Sequence, residues 1–300
     1  MSGASAAQRW VLAGYDGSDQ AAAAVEWAAE EAASRGGALA VVQVVHWPPP
    51  SPQPVPGTDE AEQELTARTH AETLLSDLAD ELGKSRPELT VRTSVESGRT
   101  GETLARAARE AELLVIGASG RGALPRVVLG STAAELLHSC DRPVVVVRSS
   151  DSYSASGPVV VGVDGSELSA AAVAFAYDFA DRHQRELLAV HAWADLPMHA
   201  TEPVGGWAED WQDISRRGQE LLADSLAAHA ERHPDVVVRR TVSIDRPARA
   251  LLDTADGAAL LVVGSHGRGT LGRLLLGSVS HAMIYHAPCP VAVVHPPAKD

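Results

Sequence analysis

A glycine frame that occurs twice constrains this 300-residue chain more than any other feature. Gly117-x-x-Gly120 is followed, after nine intervening residues, by Gly130-Ser131; Gly264-x-x-Gly267 is followed at the same interval by Gly277-Ser278. Each frame comes straight after an apolar run, Leu113-Leu114-Val115-Ile116 or Leu260-Leu261-Val262-Val263, and each leads into a helix-like stretch. In both halves a strand delivers glycines to a helix start. Backbone N–H groups without an internal partner converge there and the helix dipole favours negative charge, so the pattern predicts a phosphate ligand.

The duplication reaches beyond the glycines. The stretch ending Gly14-Tyr15-Asp16-Gly17-Ser18 matches the one ending Gly162-Val163-Asp164-Gly165-Ser166, and Arg142-Pro143-Val144-Val145-Val146-Val147 matches Cys289-Pro290-Val291-Ala292-Val293-Val294. The polar, small-residue stretch from Ser149 to Pro158 reads as a linker. Two domains, residues 1–148 and 159–300, are therefore expected around a linker over 149–158.

With 45% apolar and only 4% aromatic residues, the cores must be built from Val, Leu and Ala. No apolar run approaches the ~18 residues of a membrane span, and Met1-Ser2-Gly3-Ala4-Ser5 shows no basic region leading into an apolar one. A cytoplasmic protein with no membrane partner is the expectation. Cys140 and Cys289 do not occupy equivalent positions in the two halves, Ala287 standing opposite Cys140, which argues against a disulfide or metal pair. A formal charge of −14 argues against nucleic acid, whose backbone requires clustered Lys and Arg. Against that acidity, Arg121 and Arg126 in the first frame and Arg268 and Arg273 in the second place positive charge where an anion would dock.

The hydrophobic periodicity alternates strands and helices in both halves. Strand one ends near Asp16 or Asp164. A helix follows over Ala21 to Ala33 or Ala170 to Asp181, with Ser18 or Ser166 as caps. Strand two covers Leu39 to His46 or Leu187 to Trp193. Long loops follow over Pro48 to Thr58 and Asp195 to Trp207, then helices at Glu60 to Leu82 and Trp211 to Arg232, and a third strand at Leu89 to Val95 or Val236 to Val242. A third helix, the strand feeding the glycine frame, a fourth helix and a closing valine strand complete each half. The fold class is α/β: two tandem doubly wound, Rossmann-like parallel sheets with helices on both faces. Such sheets bind small molecules at the carboxyl ends of their strands, which brings Asp16 to the Gly117 frame and Asp164 to the Gly264 frame. A carboxylate near a sugar and a glycine cradle near phosphates describe a nucleotide site; capping of the following helix is the alternative role for each aspartate.

The G-x2-G-x9-G-[S/T] frame, the strand ending in D-G-S and the closing P-V-x-V-V strand together resemble the tandem form of the universal stress protein family, over nearly the whole chain. The resemblance implies ATP bound in each domain, with a divalent cation, Mg2+, near the phosphates. It also implies a regulatory role in stress response, persistence or growth. Carried over residue by residue, Asp16 and Asp164 meet the adenosine portion, and His46 and Ala192 offer backbone atoms to the adenine. Gly14 and Gly162 let strand one pass beneath the nucleotide. The phosphates fall to Gly117, Ala118, Ser119, Gly120, Arg121, Gly122, Arg126, Gly130, Ser131 and Thr132 in the first domain. In the second they fall to Gly264, Ser265, His266, Gly267, Arg268, Gly269, Arg273, Gly277, Ser278 and Val279. At the glycines a Cβ would occupy the volume of a phosphate oxygen. Asp195 is a weaker candidate for a ribose contact.

The halves depart from each other at two places: Asp245 opposes Gly98 near the adenosine, and His266 opposes Ser119, so the two sites are expected to differ. Rival motifs fail on spacing. Gly83-Lys84-Ser85 lacks the glycine that a P-loop needs at position 78, which is Leu, and Gly83 reads as a helix end. No G-x-G-x-x-G follows strand one, and no G-x-S-x-G is present. His229 and His233, one helical turn apart, read as a solvated face rather than a zinc site. The closing valine strands invite pairing at a sheet edge. In the family such strands pair across a dimer, so the tandem chain is expected to form an intramolecular pseudo-dimer, with a homodimer open. Three functional classes remain: an ATP-binding regulator acting through a protein partner that the sequence does not name, a slow ATPase or phosphotransferase using the same site, and a chaperone-like interaction protein. No catalytic base is evident, which favours the first.

Overall fold

The computed structural model describes residues 10–45, 60–120, 129–148, 156–193, 207–267 and 276–295. The chain divides into two units, Met1–Ser149 and Ser150–Asp300. The first runs β1 (Trp10–Gly14), α1 (Asp19–Ser34), β2 (Ala38–Val45), α2 (Glu60–Ser85), β3 (Thr90–Ser97), α3 (Thr100–Ala108), β4 (Leu113–Gly117), α4 (Ser131–Ser139) and β5 (Val144–Val147). The second repeats the series as β6 (Val159–Gly162), α5 (Glu167–Arg182), β7 (Leu187–Ala192), α6 (Trp207–Ala230), β8 (Val238–Ser243), α7 (Pro247–Thr254), β9 (Leu260–Gly264), α8 (Ser278–His286) and β10 (Val291–Val294).

Strands in each unit are parallel, in the order β3-β2-β1-β4-β5 in the first and β8-β7-β6-β9-β10 in the second. The chain winds outward from β1 to β3, then returns past β1 to add β4 and β5. Right-handed crossovers make those two series of connections leave on opposite faces. Helix α1 accordingly lies over β1 and β4, whereas α3 packs on α4, and α7 on α8. The doubly wound fold expected from the periodicity is the one observed. Helices cover both faces of the strands, so Leu113 to Ile116, Val144 to Val147 and Leu260 to Val263 are all buried.

Ser18 and Ser166 start α1 and α5 as anticipated: each hydroxyl accepts a backbone N–H, from Ala21 and Ser169 respectively, at 3.2 Å. Helix α1 then buries a small-residue face, Ala21, Ala24, Val25, Ala28, Ala29 and Ala32, which lets it lie close on the sheet.

Several boundaries differ from the sequence reading. Helix α6 begins at Trp207, four residues before Trp211, and α2 continues past Leu82 to Ser85. Gly83 therefore sits inside the last turn of α2 instead of ending it. The Arg86 N–H still reaches the Leu82 carbonyl at 2.8 Å, and Pro87, which cannot continue a helix, follows. Strands β3 and β8 begin one or two residues later than expected and end later by a similar margin. The expected loops over 48–58 and 195–206 lie outside the described residues.

His229 of α6 and His233, just beyond the end of that helix, do not form a solvated face. The rings of His229 and His233 stack on the buried Tyr177 of α5, with centroids 5.5 and 5.8 Å away. His233 is also held by Asp181 at 2.8 Å and Asp178 at 3.2 Å, so it fastens the end of α6 to α5. Among the described residues no cluster of three or more His, Cys, Asp or Glu could hold a metal. None of the described helices is long and apolar enough to cross a membrane. Cys140 and Cys289 are separate buried thiols.

Candidate functional site

Each unit opens a cleft at the carboxyl ends of its strands, about 660 Å³ in the first and about 730 Å³ in the second. Both lie in the range of roughly 300–1,000 Å³ typical of small-molecule sites. The first cleft is lined by Gly14 and Asp16 after β1, by Gly117, Ala118, Ser119 and Gly120 after β4, and by Gly130, Ser131 and Thr132 where α4 begins. The second repeats this with Gly162, Asp164, Ala192, Gly264, His266, Gly267, Gly277, Ser278 and Val279. Leu104 of α3 and Leu251 of α7 give each an apolar wall. Of the residues anticipated from sequence, Ser265 does not line its cleft: it is buried beneath, its hydroxyl 3.1 Å from His266 Nδ1. His46, Arg121, Gly122, Arg126, Asp195, Arg268, Gly269 and Arg273 lie outside the described residues.

The helix starts divide into two kinds. Those of α1 and α5 are closed by serine side chains. Those of α4 and α8, with Gly130 and Gly277 as their caps, receive no side-chain hydrogen bond, and nor do α3 and α7. The first backbone bonds of α4 and α8 run from Ala134 to Gly130 and from His281 to Gly277. The three preceding N–H groups in each helix thus have no place in the helical ladder, and they sit at the cleft. Gly130 N–H donates to the Ala118 carbonyl at 2.7 Å and Gly277 N–H to the Ser265 carbonyl at 2.8 Å, which ties each helix start to the loop in front of it.

Several of the glycines are closely packed by the protein's own atoms. A Cβ on Gly117 would lie 2.9 Å from the main chain of Gln20 at the start of α1, and one on Gly264 would lie 3.1 Å from Leu168 at the start of α5. On Gly267 it would lie 2.9 Å from Asp164 Oδ2, and on Gly120 it would collide with Asp16 Oδ2. Gly14 and Gly162 similarly accommodate Leu104 and Leu251 at 3.1 and 3.2 Å. Each aspartate has two roles. Oδ1 accepts the Ser18 N–H at 3.0 Å or the Ser166 N–H at 2.9 Å, forming the turn that opens the following helix, while Oδ2 stands against the glycine loop.

Val44, Gln43 and His191 matter here and were missed in the sequence. Gly14 pairs with Val42 in β2 as Gly162 pairs with Val190 in β7, so the counterpart of Ala192 is Val44, which lines the first cleft, and not His46. The adjoining Gln43 and His191 are buried where β2 and β7 end. His191 Nδ1 donates to the Val163 carbonyl at 2.7 Å and so joins β7 to the turn after β6. Asp245, expected near the adenosine, instead turns to Arg249 at 3.4 Å and does not line the cleft. The expected difference at 119 and 266 is present, since both residues line their clefts.

Comparison with known proteins agrees with this arrangement. The profile of the Universal stress protein family matches residues 9–148 and again residues 156–295. The chain belongs to the universal stress protein family. It is 40% identical over 294 residues to universal stress protein Rv2005c of Mycobacterium tuberculosis, covering 95% of this chain and 97% of that protein. It is likewise 40% identical over 299 residues to a universal stress protein of Mycolicibacterium smegmatis, covering 97% and 99%. Among solved structures, a universal stress protein from Archaeoglobus fulgidus matches with a TM-score of 0.68 at 20% identity, over 95% of this chain and 98% of that one. At that identity the likeness concerns the fold.

Proposed function

We propose that this universal stress protein binds ATP together with Mg2+ in both clefts and acts as a nucleotide-dependent regulator of stress response, persistence or growth. The observation that carries this reading is the open helix start in each cleft, α4 in the first and α8 in the second, whose orphan N–H groups match the hydrogen-bonding needs of a phosphate chain. The leucine wall suits a base, and one carboxylate beside the glycine loop suits a ribose hydroxyl. With no protein cluster for a metal among the described residues, Mg2+ would arrive on the phosphates, as it commonly does. Regulation is favoured over hydrolysis because no described cleft histidine is held by a carboxylate: His191 bonds a carbonyl and His266 a serine.

The test has two parts. Freshly purified protein is denatured and the released small molecules are identified by mass spectrometry, with ATP or ADP expected. Magnesium-ATP is then titrated calorimetrically into wild type and Asp16→Ala/Asp164→Ala. The double variant should melt cooperatively yet bind at least tenfold more weakly, the loss of about one hydrogen bond to a charged group per site. Unchanged affinity would remove the aspartates from the site, and absence of binding by the wild type would refute the proposal.

A further inference from the structure

The two clefts differ at one main-chain amide. In the first unit the N–H of Ser119, at the middle of the Gly117–Gly120 turn, already donates to the side-chain oxygen of Gln20 at 2.8 Å. The residue equivalent to Gln20 in the second unit is Leu168, as its position behind Gly264 shows, and it has no acceptor in its side chain. The corresponding amide, that of His266, makes no hydrogen bond among the described residues.

A second donor stands beside it. The Ser265 hydroxyl lies 3.1 Å from His266 Nδ1. When that hydroxyl donates, the imidazole proton resides on Nε2, which is shielded from water and has no partner among the described residues. His266 lines the second cleft, and a Cβ on Gly277 would lie 3.3 Å from its Cα, so it stands directly against the glycine that caps α8. Ser119, its counterpart, has only a short hydroxymethyl.

We infer that the second cleft is the tighter phosphate site of the chain, with His266 supplying donors to the phosphate group, and that Gln20 keeps the first cleft weaker by satisfying its loop amide internally. The inference rests on the reading that both clefts take ATP. Its physical basis is exchange. A phosphate oxygen reaching the Ser119 amide must replace an existing hydrogen bond, with little net gain. One reaching His266 satisfies groups that no other described residue pairs, where the cost of an unmade bond is relieved in full.

The full-length protein is titrated with magnesium-ATP by calorimetry. Wild type should show two classes of site whose dissociation constants differ by about tenfold or more, the range expected for one additional bond to a charged group. Asp164→Ala should abolish the tight class and Asp16→Ala the weak one. His266→Ser should move the tight class toward the weak. Gln20→Leu/Ser119→His, which installs the second unit's residues in the first, should tighten the weak class, a gain that misfolding cannot imitate. Two equal sites in wild type, or a tight class untouched by His266→Ser in a chain that still melts cooperatively, overturns the inference while leaving ATP binding intact. Absence of any ATP binding overturns both.

Discussion

At Gly120 and Gly267 an added methyl group would meet a carboxylate, and at Gly117 it would meet main chain. A carboxylate can rotate aside, whereas a helix start cannot. Gly267→Ala is therefore expected to displace Asp164 Oδ2 and weaken ATP binding with the melting temperature nearly unchanged. Gly117→Ala should cost about 1–3 kcal/mol of stability through overpacking. Calorimetry paired with thermal melts separates the two outcomes. The cysteines offer a simpler check. Burial pushes the Cys289 thiol up to about 12, with hydrogen bonds to backbone acting in the opposite direction, and burial likewise raises Cys140. Both should resist a thiol reagent at neutral pH and react only as the chain unfolds; rapid modification of the native protein would contradict their burial. Residue by residue, the glycine spacing was legible in the sequence but the neighbours that require it were not. Gln20 could not have been found at all, because its partner Ser119 is 99 positions away and nothing local in α1 announces it.

Helix starts tell two stories in one fold: serine closes α1 and α5, and glycine leaves α4 and α8 open. Ser166 does more than Ser18, since its hydroxyl also reaches Asp164 Oδ1 at 2.6 Å while accepting from the Ser169 N–H. At the end of α6, burial lowers the pKa of His229 from its ordinary value of 6.5, with Arg232 and His233 acting in the same direction and Asp178 against it. A histidine whose folded pKa lies below its unfolded one favours the neutral form in the native state. As pH falls below about 6.5 the unfolded chain takes up the proton first, and stability is lost until the folded pKa is passed. Part of the acid destabilisation seen in thermal melts between neutral pH and mildly acid pH should therefore vanish in His229→Gln. An identical pH slope in that variant would show that the stacked ring is not responsible. The order and type of every described element were readable from periodicity, because buried parallel strands and alanine-faced helices leave strong patterns. Register was less readable. Setting His46 opposite Ala192 shifts the frame by two residues from Val44, and only the pairing of β1 with β2 and of β6 with β7 corrects it.

Two units, each with five parallel strands and its own cleft, would take two nucleotides per chain on the proposed reading. Native mass spectrometry at limiting ATP should find up to two bound ATP molecules on the wild type, lower occupancy of one cleft in Asp16→Ala or Asp164→Ala and of both in the double variant; loss of both from a single substitution would mean that the clefts do not act separately. Duplication made this layout visible in the sequence, since a spacing met twice is hard to obtain by accident, while the inequality of the copies lay in side chains that only folding brings together. One consequence follows from the way α1 and α5 brace the glycine turns from behind. Bracing of this kind should hold each crevice's form, so association is expected to sacrifice little backbone freedom, with the described main chain shifting little on binding. What changes most on filling is electrical: a polyanion is added to a polypeptide already at −14. A protein that tells the loaded state from the vacant one therefore has a local field to sense, steep at low ionic strength and muted by salt.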